Sequence, residues 1–199
     1  MDRYCLVIDG AYLTLGSKTL EHNTNKKLML GKENVQKLDA FISQKISAAL
    51  VNKHIITAEL NEGDLNKRRD LYKGFEHNGY AQPDVRDFKH RSVYCPNQKC
   101  EYAKGFQTKV QREVDVAIAM RPVQLFMEDR SLSGLVLLAG DGDFIDMVRT
   151  VLRDFRKQVF ICGWSASMSP KLLDLCKPNI IFLDEIWDDL TYVQKFMVP

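Results

Sequence analysis

The feature that most constrains the fold is a short apolar run, residues 134–138, followed at once by the acidic turn Gly-Asp-Gly-Asp at 140–143. A run rich in Val and Leu that ends at a turn of small residues is typical of a buried strand in a parallel sheet. Residues 144–152 continue with the apolar spacing of a helix. The turn's two carboxylates are therefore predicted to lie at the carboxyl end of a strand, where open α/β sheets bind their ligands.

Two further acids, Asp9 and Asp115, are predicted to lie at the same edge of the sheet. The apolar run 5–8 ends at Asp9 and Gly10, which repeats the arrangement of a strand followed by an acid. Asp115 opens a predicted helix of mostly small and apolar residues, and a carboxylate there can point into the crevice of the sheet. Carboxylates gathered from separate elements repel one another unless a cation neutralises them. The pattern predicts a metal site.

Each acid also has a simpler interpretation as a capping residue, because a single Asp after a strand often only caps a helix or a turn. Asp143 in particular has the position of an N-cap. Several acids at one sheet edge favour a shared site over that interpretation. Asp146, on the following helix, is predicted to face solvent, and Glu113 either faces solvent or joins the cluster.

Strand and helix signals alternate along nearly the whole chain, which predicts one α/β domain over residues 1–199, with a mostly parallel sheet and helices on both faces. The predicted strands cover 5–9, 54–58, 85–93, 134–139, 159–162 and 180–183, and the predicted helices cover 33–51, 65–77, 111–127, 143–155, 169–176 and 185–196. We expect the charged strand at 85–93 to be an edge strand. A loop is expected at 22–32, and Pro122 is expected to kink or interrupt its helix.

Composition narrows the class of protein. The net charge of +2 over 199 residues means that affinity for nucleic acid must come from a local patch. No stretch approaches the ~20 apolar residues of a membrane span, and the predicted strand at the N-terminus leaves no room for a signal peptide. Five irregularly spaced cysteines fit free thiols better than a disulfide framework. These features predict a cytoplasmic or nuclear protein.

The ordered motifs resemble the NYN family of the PIN-like nuclease superfamily, including its LabA-like branch. The family's strand ending in Asp-Gly-x-Asn corresponds to residues 9–12, its Lys-Gly-Val-Asp-Val segment to 112–116, and its Ser-Gly-Asp-Gly-Asp-Phe motif to 139–144. Residues 71–80 are similar to the family's second helix and the turn after it. The resemblance implies a PIN-like, Rossmannoid domain of three layers. It also places four residues in the family's catalytic, metal-binding cluster: Asp9, Asp115, Asp141 and Asp143.

By this resemblance the protein is expected to be a metal-dependent ribonuclease that hydrolyses phosphodiester bonds of single-stranded RNA. Mg²⁺ or Mn²⁺ is the expected cofactor, because hard cations prefer carboxylate oxygens and water and keep positions open for phosphate. One or two such ions can activate a water and stabilise the charge that develops on the phosphate. No nucleophilic side chain is required.

The chain departs from the family pattern at three places. Tyr12 stands where the family has Asn, Arg121 where a further acid is often found, and Arg112-Glu113 where the family has Lys-Gly. These departures keep an alternative open, in which the domain is a catalytically weak or inactive module for RNA binding or protein interaction. A homodimer is also left open.

RNA contacts are predicted at basic and aromatic residues near the acids. Lys104, Lys109 and Arg112 closely precede Asp115, and basic side chains there would offset the repulsion of phosphate by the cluster. Tyr12 either stacks on an unpaired base, as aromatic residues commonly do in RNA recognition, or packs within the protein.

A phosphatase of the haloacid dehalogenase type is a rival prediction, because its late motif also reads Gly-Asp-Gly followed by an acid. That chemistry needs a second Asp two residues after the nucleophile, to act as acid and base. Ala11 occupies this position, which counts strongly against the phosphatase.

Overall fold

The computed structural model describes residues 1–59, 69–97, 99–100, 105–111 and 113–193. Its strands are β1 (Arg3–Asp9), β2 (Lys26–Leu28), β3 (Ala49–Glu59), β4 (Asp84–Val93), β5 (Phe106–Gln111), β6 (Gly134–Leu138), β7 (Gln158–Gly163), β8 (Ile180–Phe182) and β9 (Thr191–Val193). Its α-helices are α1 (Gly10–Leu15), α2 (Lys18–Thr24), α3 (Lys32–Ile46), α4 (Arg69–His77), α5 (Val114–Glu128), α6 (Ile145–Arg153) and α7 (Pro170–Cys176). Short 3₁₀ segments cover Gly142–Phe144, Ser165–Ser167 and Leu183–Leu190.

The main sheet has seven strands in the order β5-β4-β3-β1-β6-β7-β8. All neighbouring pairs are parallel except β4 and β5, which are antiparallel. The chain adds β3, β4 and β5 on one side of β1 and then adds β6, β7 and β8 on the other side. This change of direction at β1 is the topology that leaves a crevice at the carboxyl ends of the strands. The predicted α/β fold with a mostly parallel sheet is confirmed.

Helices cover both faces of the sheet, and β1 shows why. Tyr4, Leu6 and Ile8 belong to a core shared with α1, α3 and α4, whereas Cys5 and Val7 belong to a second core shared with α5, α6 and α7. Successive side chains of a strand point to opposite faces. Asp9 therefore continues the side of Cys5 and Val7, which is the side that α5 covers.

The predicted edge strand at 85–93 is wrong in its placement. β4 lies inside the sheet, because Phe106–Gln111 forms the strand β5 and pairs antiparallel with it, from Phe88 opposite Gln111 to Val93 opposite Phe106.

The same pairing of β4 with β5 corrects the predicted start of the next helix. Backbone up to Gln111 belongs to the sheet, so α5 begins at Val114 rather than at residue 111. Pro122 lies inside this helix, which continues to Glu128.

Three other boundaries differ from the prediction. Helix α3 ends at Ile46, because Ser47 adopts the left-handed conformation (φ 52°) and the chain then turns into β3. The expected loop at 22–32 contains the end of α2 and the strand β2. The expected closing helix is a 3₁₀ segment, Leu183–Leu190, followed by β9, which pairs antiparallel with β2.

None of the helices in the described part of the chain combines the length and the hydrophobicity that crossing a bilayer requires.

Candidate functional site

Asp9 is the buried member of the acidic group. It is the last residue of β1 and caps α1, where its Oδ1 accepts a hydrogen bond of 2.9 Å from the backbone N–H of Tyr12. Its side of the sheet is covered, and the residue is only 9% exposed. Burial raises the pKa of Asp9 to about 6, and the negative charges of Asp115 and Asp141 add to the rise against the opposing hydrogen bond. Asp9 is thus a carboxylate that gains from a nearby cation.

Asp141 and Asp143 occupy the turn after β6. Asp141 is the N-cap of the short 3₁₀ segment, and its Oδ1 accepts a hydrogen bond of 3.0 Å from the backbone N–H of Asp143. Both residues are exposed. The capping residue is therefore Asp141. Asp143 lies within the 3₁₀ segment, two residues before α6 begins at Ile145. The two carboxylates both remain available to solvent.

Asp115 joins these acids from the other side of the crevice. It lies in the first turn of α5 and is exposed. Partial burial raises the pKa of Asp115, and the charges of Asp141 and Asp143 raise it further. Since Asp115 also acts on Asp9, the four predicted site acids repel one another as one electrostatic group at the carboxyl edge of the sheet.

The donor set fits a hard divalent cation. Carboxylate oxygens are the ligands that Mg²⁺ and Mn²⁺ prefer, and Mg²⁺ usually keeps several waters while binding one or two carboxylates. Among the described residues, no three acidic, histidine or cysteine side chains are already arranged as a group that holds a metal ion. The four carboxylates thus offer ligands of the right kind, but they are not arranged as a closed protein cage.

A cleft of about 660 Å³ opens beside Asp9 and Asp141. Its walls come from the start of α1, the turn after β6 and the loop after β7; they include Tyr12, Gly140, Ser167 and Ser169. The two serines were not predicted as site residues. Their loop carries no charge or unusual spacing that would distinguish it in the sequence.

Tyr12 lies in the wall of this cleft as a packed residue. Its half-buried ring packs against the core on the α1 side of the sheet. Its hydroxyl accepts hydrogen bonds from the backbone N–H of Trp164 (3.0 Å) and from Ser167 (3.2 Å). These contacts favour the packing interpretation of Tyr12, and base stacking by Tyr12 stays a prediction.

Arg121 pairs with an acid that is not one of the four predicted site residues. Its Nη2 lies 3.4 Å from Oδ2 of Asp84, the first residue of β4. Arg86 binds the same carboxylate more closely, with contacts of 2.7 Å from both Nε and Nη2. Glu113 also points to this second group, because its carboxylate lies 4.0 Å from Arg86. Sequence reasoning missed Asp84, whose pairing opposite Ile56 of β3 only the sheet register reveals.

The remaining predicted residues have separate outcomes. Lys104 and Arg112 lie outside the described residues, and for Lys109 only the backbone in β5 is described. Asp146 is exposed, as predicted, with its carboxylate 3.1 Å from Arg149 on the same helix.

Comparisons with known proteins agree with an α/β domain of this kind. The family model of the NYN domain matches residues 3–184. The chain belongs to the NYN domain family, whose members are generally nucleases. Among solved structures, a crystal structure of a protein of unknown function from Vibrio parahaemolyticus superposes with a TM-score of 0.62 at 15% identity and covers 96% of both chains. At that identity the likeness shows the fold alone. A search of curated proteins finds no match.

Proposed function

We propose that this protein is a metal-dependent ribonuclease of the LabA-like branch, which hydrolyses single-stranded RNA at Asp9, Asp115, Asp141 and Asp143. The observation that carries the proposal is the burial of Asp9 among other acids and the raised pKa that results. A buried carboxylate whose pKa is raised to about 6 by burial and by neighbouring acids is costly to keep ionised, and perturbed groups of this kind cluster at functional sites. Membership of a family of nucleases supports the same conclusion.

Each acid has a defined task in this proposal. The hydrogen bond from the Tyr12 N–H fixes the carboxylate of Asp9 at the floor of the site. Asp115, Asp141 and Asp143 are exposed around it, where the phosphate backbone of RNA can approach. Bound Mg²⁺ or Mn²⁺ would supply the activation of a water and the neutralisation of phosphate charge. The acids would hold that cation and orient its waters.

The partner RNA also needs positive charge near the acids. Lys104, Lys109 and Arg112 remain our proposed phosphate contacts, since they closely precede Asp115 in the sequence. The cytoplasmic location and a homodimer stay predictions.

The alternative is an RNA-binding or interaction module without turnover. Two observations favour it: Tyr12 is committed to packing where the family has Asn, and Arg121 is paired with Asp84 where the family often has an acid. In that case the acids would still repel one another, but the site would lack the groups that orient a substrate.

A cleavage assay separates the two. We would incubate the purified protein with single-stranded RNAs of varied sequence in Mg²⁺ and in Mn²⁺, with Asp141→Asn as the test variant and Asp146→Asn as the matched control. Metal-dependent cleavage that Asp141→Asn abolishes supports the ribonuclease. RNA binding without cleavage by the wild type in either metal would replace it with the inactive module.

A further inference from the structure

A second, smaller pocket of about 240 Å³ is lined largely by α5, and it shares no lining residue with the cleft beside Asp9. Arg86, Arg121 and Gln124 bring hydrogen-bond donors to its lining, Glu113 brings an acceptor, and Val116 and Met120 bring apolar surface. Its volume is below the ~300–1,000 Å³ typical of pockets for drug-sized ligands. The pocket thus suits one ring system with polar edges rather than a whole nucleotide.

Arg121 has hydrogen-bonding capacity that the described residues do not use. Its only ion-pair contact among the described residues is the 3.4 Å approach to Asp84, a carboxylate that Arg86 already engages at 2.7 Å. The Nε of Arg121 is shielded from solvent and has no hydrogen-bond partner in the described structure. A ligand cannot reach this shielded Nε and would meet the terminal nitrogens of the guanidinium, because the side chain is 31% exposed and Nη2 makes only the long contact to Asp84.

Glu113 supplies the opposite chemistry in the lining of the same pocket. Its side chain is 66% exposed and lies 4.0 Å from Arg86, which is too long for a hydrogen bond. The residue adopts a left-handed backbone conformation (φ 65°) just before α5. Its carboxylate is therefore free to accept hydrogen bonds from a ligand.

The apolar wall is formed by neighbours on one side of α5. Val116 and Met120 are four residues apart and are 65% and 47% exposed. Proteins that read unpaired bases hold the ring against apolar or aromatic side chains and bind its edges with polar groups. The pocket presents both kinds of surface.

We propose that this pocket binds a guanine base of the RNA substrate, next to the bond that the acids cleave. Guanine offers the acceptors O6 and N7, which arginine reads, and its N1–H and N2–H₂ donors suit the carboxylate of Glu113. Adenine has an amino group, which is a donor, where guanine has the acceptor O6. An adenine would therefore place an N–H donor against the N–H donors of Arg121. The pocket adjoins the site, because Glu113 and Val116 flank Asp115 and because Asp84 is in register with Asp9 through Ile56.

The specificity rests on the proposed ribonuclease, so its test uses binding as well as cleavage. In the Asp141→Asn background, we would measure binding of an oligoadenylate, of the same oligomer with one guanine, and of the same oligomer with inosine, which lacks the N2 amino group. The guanine oligomer should bind about fivefold or more tightly than oligoadenylate, the discrimination of a good bidentate contact to a base. Inosine should fall between them.

Glu113→Gln should remove most of this preference, and Glu128→Gln, an exposed glutamate at the far end of the same helix, should leave it unchanged. Equal binding of all three oligomers, or no RNA binding, would overturn the guanine pocket. Cleavage by the wild type without a guanine preference would overturn the pocket and leave the ribonuclease standing. A guanine preference that Glu113→Gln removes, in a wild type that never cleaves, would keep the pocket and refute the ribonuclease.

Discussion

Tyr12 and Trp164 are joined by hydrogen bonds in both directions. The Trp164 backbone N–H donates to the Tyr12 hydroxyl over 3.0 Å, and that hydroxyl lies 3.2 Å from the Trp164 carbonyl oxygen. The ring fits because two glycines leave space for it. A Cβ at Gly140 would lie 2.2 Å from the Tyr12 ring, and a Cβ at Gly163 would lie 2.5 Å from its hydroxyl oxygen. Tyr12 and these glycines form one packing unit.

We expect Gly163→Ala to destabilise the protein by about 1–3 kcal/mol, the usual cost of overpacking. The three closest atoms to the new methyl group all belong to Tyr12. The cost should therefore shrink in a Tyr12→Asn background, which chemical denaturation of the four proteins of a double-mutant cycle would show. Gly31→Ala is the matched control, since its Cβ would lie 3.5 Å from the side-chain oxygen of Asn34, an ordinary contact distance. Strictly additive costs would mean that Tyr12 and Gly163 are not coupled.

Asp9→Asn should make the protein more stable above pH 6 when no divalent cation is present. The pKa of Asp9 rises from 3.8 unfolded to about 6 folded, so the folded state binds more protons between these values and stability falls as pH rises through that window. The shift corresponds to at most ~3 kcal/mol. Below pH 4 the wild type and the variant should be similar, because Asp9 is then protonated in both states.

The measurement is urea unfolding of both proteins from pH 3.5 to pH 7.5 in EDTA. Asp146→Asn is the control, because Asp146 is exposed and lies outside the acidic group. If Asp9→Asn were less stable than the wild type across the whole range, the carboxylate of Asp9 would be a structural group and the site proposal would lose its main support.

Mn²⁺ should stabilise the wild type against heat more than it stabilises Asp141→Asn. A ligand present at 100 times its Kd contributes about 2.7 kcal/mol, which for a domain of this size corresponds to a rise in Tm of roughly 5–10 °C. The rise would be followed by circular dichroism at increasing Mn²⁺. Equal rises for the wild type, Asp141→Asn and Asp146→Asn would indicate binding of the cation elsewhere.

Asp9→Asn and Asp141→Asn should each reduce RNA cleavage by ~10²-fold or more, the scale of removing a preorganised electrostatic contact. RNA binding should persist or tighten, because a lost carboxylate repels phosphate less. Fluorescence anisotropy and single-turnover cleavage on one labelled RNA would measure both quantities. Should Asp146→Asn reduce cleavage as much as Asp141→Asn, the reaction would take place along α6 and not at the strand end.

The acids at the strand ends were predictable because each depends on a local pattern. An apolar run followed by Asp9 or by Asp141 identifies both the strand and the edge that it ends at. The inner position of β4 was not predictable in this way. Its charges resemble those of an edge strand, and only the pairing of Phe88 with Gln111 covers it.

Other parts of the site depend on contacts between distant segments. The packing of Tyr12 against Gly140 and Gly163 joins three separate strand ends, so no window of sequence contains it. The pairing of Arg121 with Asp84 likewise requires the register of β3 and β4. The spacing of apolar residues predicts which face of a segment is buried. It does not predict which other segments pack beside that face, and these contacts depend on that.

The ribbon of β2 and β9 has a consequence for the order of assembly. Lys26 in β2 pairs with Asp188, 162 positions later in the chain, and the Trp187 indole donates to Thr24 across a similar separation. During synthesis, β2 emerges early and must wait for its partner until nearly all of the described chain has been made. Until then the edge-on contact between Trp164 and Trp187 cannot form, and the apolar surface that the two indoles later bury together stays exposed, as is typical of aggregation-prone folding intermediates.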